Sequence, residues 1–203
     1  MGSEWSSVST KHDVPPLDQK EAVLLANETH YRTEELQQLY SLMFLPIRVL
    51  SFQFFCAAAT FLGVKSPILQ EMLFSTFDQN RDGIIAFDEF AIVLSIMSLG
   101  TPHEKIELVF NMLHSVNNYP RPMPSNSSTL QRKGVCAVVE GLKETFGSRT
   151  SLEGQQKQQE ELSMFCSLNV VEELFGSSME VTHKEFVVYV TRSPTVLRGL
   201  AIS

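Results

Sequence analysis

Apolar residues recur every three or four positions along most of this chain, and that spacing predicts an all-α fold. The predicted helical stretches are 33–43, 52–61, a helix–loop–helix segment over 68–100, 105–114, 130–146, 162–175 and 186–192. They amount to about eight helices in four helix–loop–helix units. The intervals between units are unequal, yet the repeat is recognisable, so we expect two pairs of such units.

Turn and capping signals divide the chain into segments. Residues 1–28 are rich in Ser, Lys, Asp and Pro and are expected to form a flexible arm. The residues TPHE at 101–104 are a capping box that begins a helix directly after Gly100, which ends the preceding helix. The expected units are therefore the arm, one pair over 29–100, a second pair over 101–192 and a tail over 193–203.

Composition narrows the class of function. Of the 203 residues, 43% are hydrophobic and 19% charged, as in folded proteins, and the formal net charge is −7. Nucleic-acid binding requires a basic face, and no basic cluster stands out, so no nucleic-acid partner is expected. The three cysteines lie in apolar stretches and indicate buried thiols in a reducing compartment. No secretory signal opens the chain, and the most apolar run, 49–64, is shorter than the roughly 20 residues of a membrane span.

The residues DQNRDGIIAFDE at 78–89 carry the clearest chemical signal. They match D-x-[DN]-x-[DN]-G-x5-E, the loop of an EF-hand calcium site, at every specified position. Alternate residues of a tight turn direct their oxygens to one point, and Gly83 allows the chain to swing around the ion. The predicted metal ligands are the side chains of Asp78, Asn80, Asp82 and Glu89, and the carbonyl oxygen of Ile84. Hard oxygen donors suit Ca²⁺, and three carboxylates predict a dissociation constant on the order of 10⁻⁷ to 10⁻⁵ M.

The other three predicted loops are expected to bind no metal. The first, over 43–54, contains no acidic residue, and the third, which would begin at His114, lacks acids and runs through a proline cluster. The fourth keeps Glu185 at the closing position, but its leading ligand positions and its glycine position hold Leu174, Gly176, Ser178 and Met179. We therefore expect one Ca²⁺ per chain. Aliphatic residues such as Leu50, Ile85 and Val181 stand where paired loops form short β bridges.

These features resemble the myristoylated four-EF-hand calcium sensors, that is, the neuronal calcium sensor, recoverin and calcineurin B-like group. The resemblance covers roughly residues 30–200 and rests on FDQNRDGIIAFDEF, on the following GTPHEKIELVFNML and on a first loop without ligands. It implies a calcium-binding regulatory protein with an apolar groove that docks an amphipathic helix of a target. Members of this group usually have an active third hand, so the silent third loop argues against a large switch in both halves.

The residues expected to line the groove are apolar and partly core. They are Phe52, Phe55, Phe61, Phe74, Phe77, Phe90, Ile92 and Ile96. The target would be a kinase, phosphatase, channel or cytoskeletal protein. The alternative is a constitutive, light-chain-like subunit of a larger complex, in which the ion is structural. No nucleophile–base pair, phosphate loop or catalytic metal cluster stands out, so no enzyme activity is expected.

The amino terminus, MGSEWS, satisfies M-G-x-x-x-[ST], the N-myristoylation signal, and predicts lipidation at Gly2. A single acyl chain gives only marginal, reversible membrane binding. No polybasic run accompanies it, so stable anchoring would need a second signal or a membrane-bound partner. We expect a cytoplasmic protein with peripheral membrane contact.

Overall fold

A computed structural model describes residues 17–43, 49–117, 129–146 and 170–193 of the chain. These residues form nine helices and two small antiparallel sheets, which confirms the predicted all-α architecture of helix–loop–helix units. Gly2, the linker over 147–154, Cys166 and the tail beyond Ser193 lie outside the described residues.

The helices of the first half flank two loops. They are α1 (Gln19–Glu28), α2 (Thr33–Met43), α3 (Phe52–Phe61), α4 (Pro67–Phe77) and α5 (Phe87–Leu99). The helices of the second half are α6 (Pro102–Ser115), α7 (Arg132–Phe146), α8 (Val170–Phe175) and α9 (His183–Arg192). The strands are β1 (Leu50–Ser51), β2 (Ile84–Ile85), β3 (Thr129–Gln131) and β4 (Glu180–Thr182).

The strands pair within each half and confirm the predicted β bridges. Leu50 of β1 lies opposite Ile85 of β2, and Leu130 of β3 lies opposite Val181 of β4. Ile85 and Leu130 are fully buried, because each points into the core between the helices of its own pair. The aliphatic residue at this position therefore both pairs with the neighbouring loop and packs in the core.

The structure corrects the expected flexible arm, since residues 19–28 form helix α1. Ala22 and Leu25 of α1 are buried in a cluster that includes Leu36 and Phe87. Burial of these apolar side chains offsets the polar composition that suggested disorder. Residues 1–16 lie outside the described part of the chain.

The structure also changes the start of the third loop. Helix α6 continues through Ser115, whose hydroxyl donates to the carbonyl oxygen of Met112, so His114 is helical and does not begin a loop. The predicted capping box at the start of α6 is present, with the Thr101 hydroxyl and the Glu104 carboxylate each accepting the other residue's backbone N–H.

The two halves share a hydrophobic core. Leu69 and Met72 of α4 pack with Val116 and Val138 of the second half. Helix α4 therefore contacts both α6 and α7 as well as its own pair. Cys56 and Cys136 are free thiols and half-buried. Within the described ranges, no helix combines the length and apolar character needed to cross a bilayer.

Candidate metal centre

The loop over 78–89 lies between α4 and α5, whose aromatic residues fix its two ends. The rings of Phe77, at the end of α4, and Phe90, in α5, stack with centroids 5.5 Å apart and planes 19° from parallel. Phe74 and Phe77 are buried in a cluster with Ile85 and Val93. This packing holds the last turn of α4 close to the first turn of α5, so that both ends of the loop meet.

Asp78 is the first predicted ligand and is buried, with 7% of its surface exposed. Its two carboxylate oxygens accept the backbone N–H groups of Asp82 and Gly83, each over 3.1 Å. These bonds curl the loop around the Asp78 side chain and draw its later residues inward.

Asn80 and Asp82 are exposed and interact with each other. The side-chain oxygen of Asn80 accepts the backbone N–H of Asp82 over 2.9 Å, and its amide nitrogen donates to the Asp82 carboxylate over 3.1 Å. The other oxygen of Asp82 accepts the backbone N–H of Ile84 over 3.0 Å. Ile84, the fifth predicted ligand, lies in β2 opposite Ser51.

Glu89 closes the loop and is also 7% exposed. One carboxylate oxygen accepts the backbone N–H groups of Gln79 and Asn80, over 3.0 and 3.1 Å. The other accepts the N–H of Ala86 over 3.0 Å and so caps α5. The glutamate at the end of the loop therefore reaches back to its first residues.

Two residues of the loop have a left-handed backbone. Gly83 has φ +86°, and a Cβ built there would meet no atom within 4 Å. Arg81 has φ +62° although it carries a side chain. Gly83 is thus required for its conformation and not for lack of space, which supports the reason for which the motif specifies glycine.

The donor set fits a hard divalent cation, although the described carboxylates are held by backbone N–H groups. Within the residues that the structure describes, no three His, Cys, Asp or Glu side chains are grouped as ligands of one ion. Asp78 and Glu89 are nevertheless buried carboxylates, and neither forms a salt bridge with a described Lys, Arg or His. Buried charges without an opposite charge are costly, so the pair favours binding of a cation.

The fourth loop uses its closing glutamate differently. Glu185 is exposed, and one of its oxygens accepts the backbone N–H and the hydroxyl of Thr182, over 2.8 and 2.7 Å. The backbone hydrogen bond from Thr182, followed by that from its hydroxyl, lowers the pKa of Glu185 below its ordinary value. Glu185 therefore caps α9, whereas Glu89 both caps its helix and reaches across its loop.

The predicted groove residues fall into three groups. Phe74 and Phe77 are buried, and Phe55 and Phe90 pack against the same core cluster. Ile92 and Ile96 are half-buried and line a cavity of about 530 Å³ beside the loop, between α4, α5 and α6. Phe52 and Phe61 of α3 are the members that remain exposed, by 41% and 91%.

Comparison with known proteins gives two informative matches. Over 98 residues the chain is 39% identical to a protein of Dictyostelium discoideum named calcium-binding protein NCSA. The aligned residues cover 47% of this chain and 53% of that protein. Over 38 residues the chain is 47% identical to neuronal calcium sensor 1 of Lymnaea stagnalis. This alignment covers 19% of this chain and 20% of that protein. The chain thus matches about half, or less, of the length of these relatives. No family model matches the chain.

Proposed function

This chain is related to the EF-hand calcium sensors of the neuronal calcium sensor group, and from that premise we propose that it binds one Ca²⁺ at residues 78–89 and regulates a target protein. The observation that carries the proposal is the pair of buried carboxylates, Asp78 and Glu89, at the two ends of one loop. The ligands would be the oxygens of Asp78, Asn80, Asp82, Ile84 and Glu89.

The ion would supply the opposite charge that the two buried carboxylates lack, since neither forms a salt bridge with a described Lys, Arg or His. Asp78 and Glu89 lie at opposite ends of the loop, and backbone N–H groups already direct their oxygens to its inner side. A bound Ca²⁺ would fix the end of α4 relative to the start of α5, because it would be held from both. The relatives are named as a calcium-binding protein and a calcium sensor, which agrees with a binding role and not with catalysis.

A matched pair of glutamates provides the test. Glu89→Gln removes one carboxylate oxygen of the second loop, and Glu185→Gln makes the same change at the closing position of the fourth. Terbium luminescence, followed during titration of the full chain, should show loss of binding in Glu89→Gln and unchanged binding in Glu185→Gln. Micromolar binding that survives Glu89→Gln would place the site elsewhere.

Helix α3 supports docking of an amphipathic target helix. The residues from 52 to 64 carry no charge, yet within α3 only Ala59 is buried. Phe54, Ala57, Ala58 and Phe61 are exposed on one face at helical spacing. Such a surface is suited to the apolar side of a helix from a kinase, phosphatase, channel or cytoskeletal protein.

A constitutive, light-chain-like subunit is the second candidate, and the shared core favours it. Leu69 and Met72 hold α4 against the second half, which restricts how far the second hand opens. Hydrogen exchange of the full chain with and without Ca²⁺ distinguishes the two. A sensor changes protection in α3 and α5, whereas a constitutive subunit changes only within the loop.

N-myristoylation of Gly2 is a further part of the proposal, and it rests on the sequence MGSEWS alone because Gly2 lies outside the described residues. We propose a cytoplasmic protein in reversible membrane contact. Gly2→Ala should abolish incorporation of a myristate analogue and shift the protein to the unbound fraction of cells, while Ser3→Ala should do neither. Unchanged fractionation of Gly2→Ala would dismiss the lipid hypothesis.

A further inference from the structure

The third and fourth loops pair closely although they lack acidic ligands at the leading positions. Strands β3 and β4 form three residue pairs, compared with two between β1 and β2. In an EF-hand that binds calcium, the ion gathers oxygen atoms that would otherwise repel one another. In the second half, protein groups other than a metal ion must therefore hold the loop residues together.

Asn117 provides such a group in the third loop. It lies two residues after the end of α6, near the start of the loop, and it is 2% exposed. Its amide nitrogen donates to the carbonyl oxygen of Thr129 over 2.6 Å, and its side-chain oxygen accepts the backbone N–H of Gln131 over 2.9 Å. Both bonds tie the start of this loop to β3.

The bond to Thr129 falls at the position where a metal would bind. Leu130 and Ile85 hold the same place in their bridges, so Thr129 corresponds to Ile84. The carbonyl oxygen of Ile84 is a predicted calcium ligand. At the corresponding carbonyl of the third loop an amide N–H stands in for the cation.

Arg132 performs the same task in the fourth loop. It is the first residue of α7, its side chain is 19% exposed, and its guanidinium donates to the carbonyl oxygen of Gly176 over 2.6 Å. The same guanidinium forms an ion pair with Glu172, and the backbone N–H of Arg132 donates to the carbonyl oxygen of Met179. Gly176 stands at the second ligand position of that loop and has no side-chain oxygen, so the guanidinium holds this part of the loop through the backbone carbonyl.

We propose that Asn117 and Arg132 are positioning residues that replace metal ions in the second half, so that this pair keeps its paired loops at any calcium concentration. The inference goes beyond the proposed function and does not depend on whether the second hand binds calcium. It assigns the second half a structure that does not change with calcium, whether or not the first half responds to the ion. The second half then presents the same surface to a partner throughout a calcium signal.

The test compares two variants with matched neighbours on the same helices. Asn117→Ala and Arg132→Ala remove the donors, while Asn111→Ala on the exposed face of α6 and Lys133→Ala on α7 are controls. The measurements are the thermal midpoint and the amide exchange of Leu130 and Val181 in the full chain, in EGTA and in Ca²⁺.

Both donor variants should lower the midpoint by roughly 5 °C and speed exchange at Leu130 and Val181 at least about tenfold, equally in EGTA and in Ca²⁺. The controls should match the wild type. Where Asn117→Ala does not fold, Asn117→Asp keeps the size and the acceptor oxygen but removes the donor, and it should show the same loss of protection.

Two results would overturn the inference. One is donor variants that behave like their controls, and the other is wild-type protection of β3 and β4 that appears only with Ca²⁺. Repeating the exchange in a Glu89→Gln background separates this inference from the calcium-binding proposal, because the second half should behave identically there.

Discussion

Gly141 of α7 lies directly against Ser66, the residue that precedes α4: a Cβ built on Gly141 would stand 2.6 Å from the Ser66 hydroxyl oxygen. The same Cβ would lie 3.1 Å from Leu69 and 3.2 Å from Ile68. The absent side chain thus lets α4, the helix that precedes the loop over 78–89, approach the second half.

Gly141→Ala should therefore loosen the contact between the halves. Alanine gains about 1 kcal/mol in helix propensity, but overpacking costs about 1–3 kcal/mol, so a net loss of about 1 kcal/mol is expected. For a chain of this length that lowers the thermal midpoint by roughly 2–4 °C. Glu140→Ala, at the exposed neighbouring position, serves as the control. A Gly141→Ala protein as stable as that control would contradict the close approach.

The left-handed glycine of the loop over 78–89 gives a second prediction. Gly83→Ala places a Cβ on a backbone with φ +86°, which costs about 1–2 kcal/mol. If the free loop of the variant relaxes this strain and only the bound loop has to adopt the left-handed conformation, calcium affinity falls about tenfold for each 1.4 kcal/mol. Gly176→Ala makes the same change at φ +53° in the fourth loop, with equally open space. Calorimetry should show weaker binding in Gly83→Ala and wild-type affinity in Gly176→Ala. Equal affinities in both would show that the left-handed turn is not needed for binding.

The helix cap at Glu185 predicts that part of the stability of the folded chain is lost at acidic pH. Because the pKa of Glu185 is lowered in the folded chain from its ordinary value of 4.5, the cap contributes stability above that pH. The contribution is lost as the pH falls below 4.5 through the lowered pKa. A carboxyl NMR titration should place the Glu185 midpoint below 4.5. Thr182→Ala should raise it part of the way, since the backbone N–H still donates.

Thr191→Ala, at an exposed position of the same helix, is the control for that titration and should leave the midpoint unchanged. A wild-type midpoint at the ordinary glutamate value would show that the cap does not form in solution.

The exposed face of α3 gives a prediction about docking. Phe61 is 91% exposed, so Phe61→Ser should leave the thermal midpoint unchanged while it weakens binding of a hydrophobic dye in Ca²⁺. Met179, in the fourth loop, is 68% exposed, and Met179→Ser is the matched change in the other half. Dye fluorescence should fall only for Phe61→Ser. An equal fall in both variants would show that the dye does not prefer the exposed face of α3.

Local patterns were sufficient to predict several of the helices. Apolar spacing identified α2 and α3, and the capping residues identified the start of α6, because each signal lies within a few residues of the element it defines. Helix α1 was missed because its buried contacts, through Ala22 and Leu25, depend on α2 and α5, which come later in the chain.

The roles of Asn117 and Arg132 could not be predicted for a related reason. Asn117 bonds to residues 12 and 14 positions away, and Arg132 meets Gly176 44 positions away. A missing acidic ligand is apparent in the sequence, but the group that replaces it is determined by which loops meet in space. The sequence therefore shows which loops lack acidic ligands and not which groups hold those loops together.

The calorimetric stoichiometry of the full chain tests the central claim most directly. Titration with Ca²⁺ should give one ion per chain with a dissociation constant on the order of 10⁻⁷ to 10⁻⁵ M, and Asp78→Asn should remove most of that heat. A wild-type chain that binds no calcium, or that binds two or more ions with similar affinity, would contradict a single calcium site between Asp78 and Glu89.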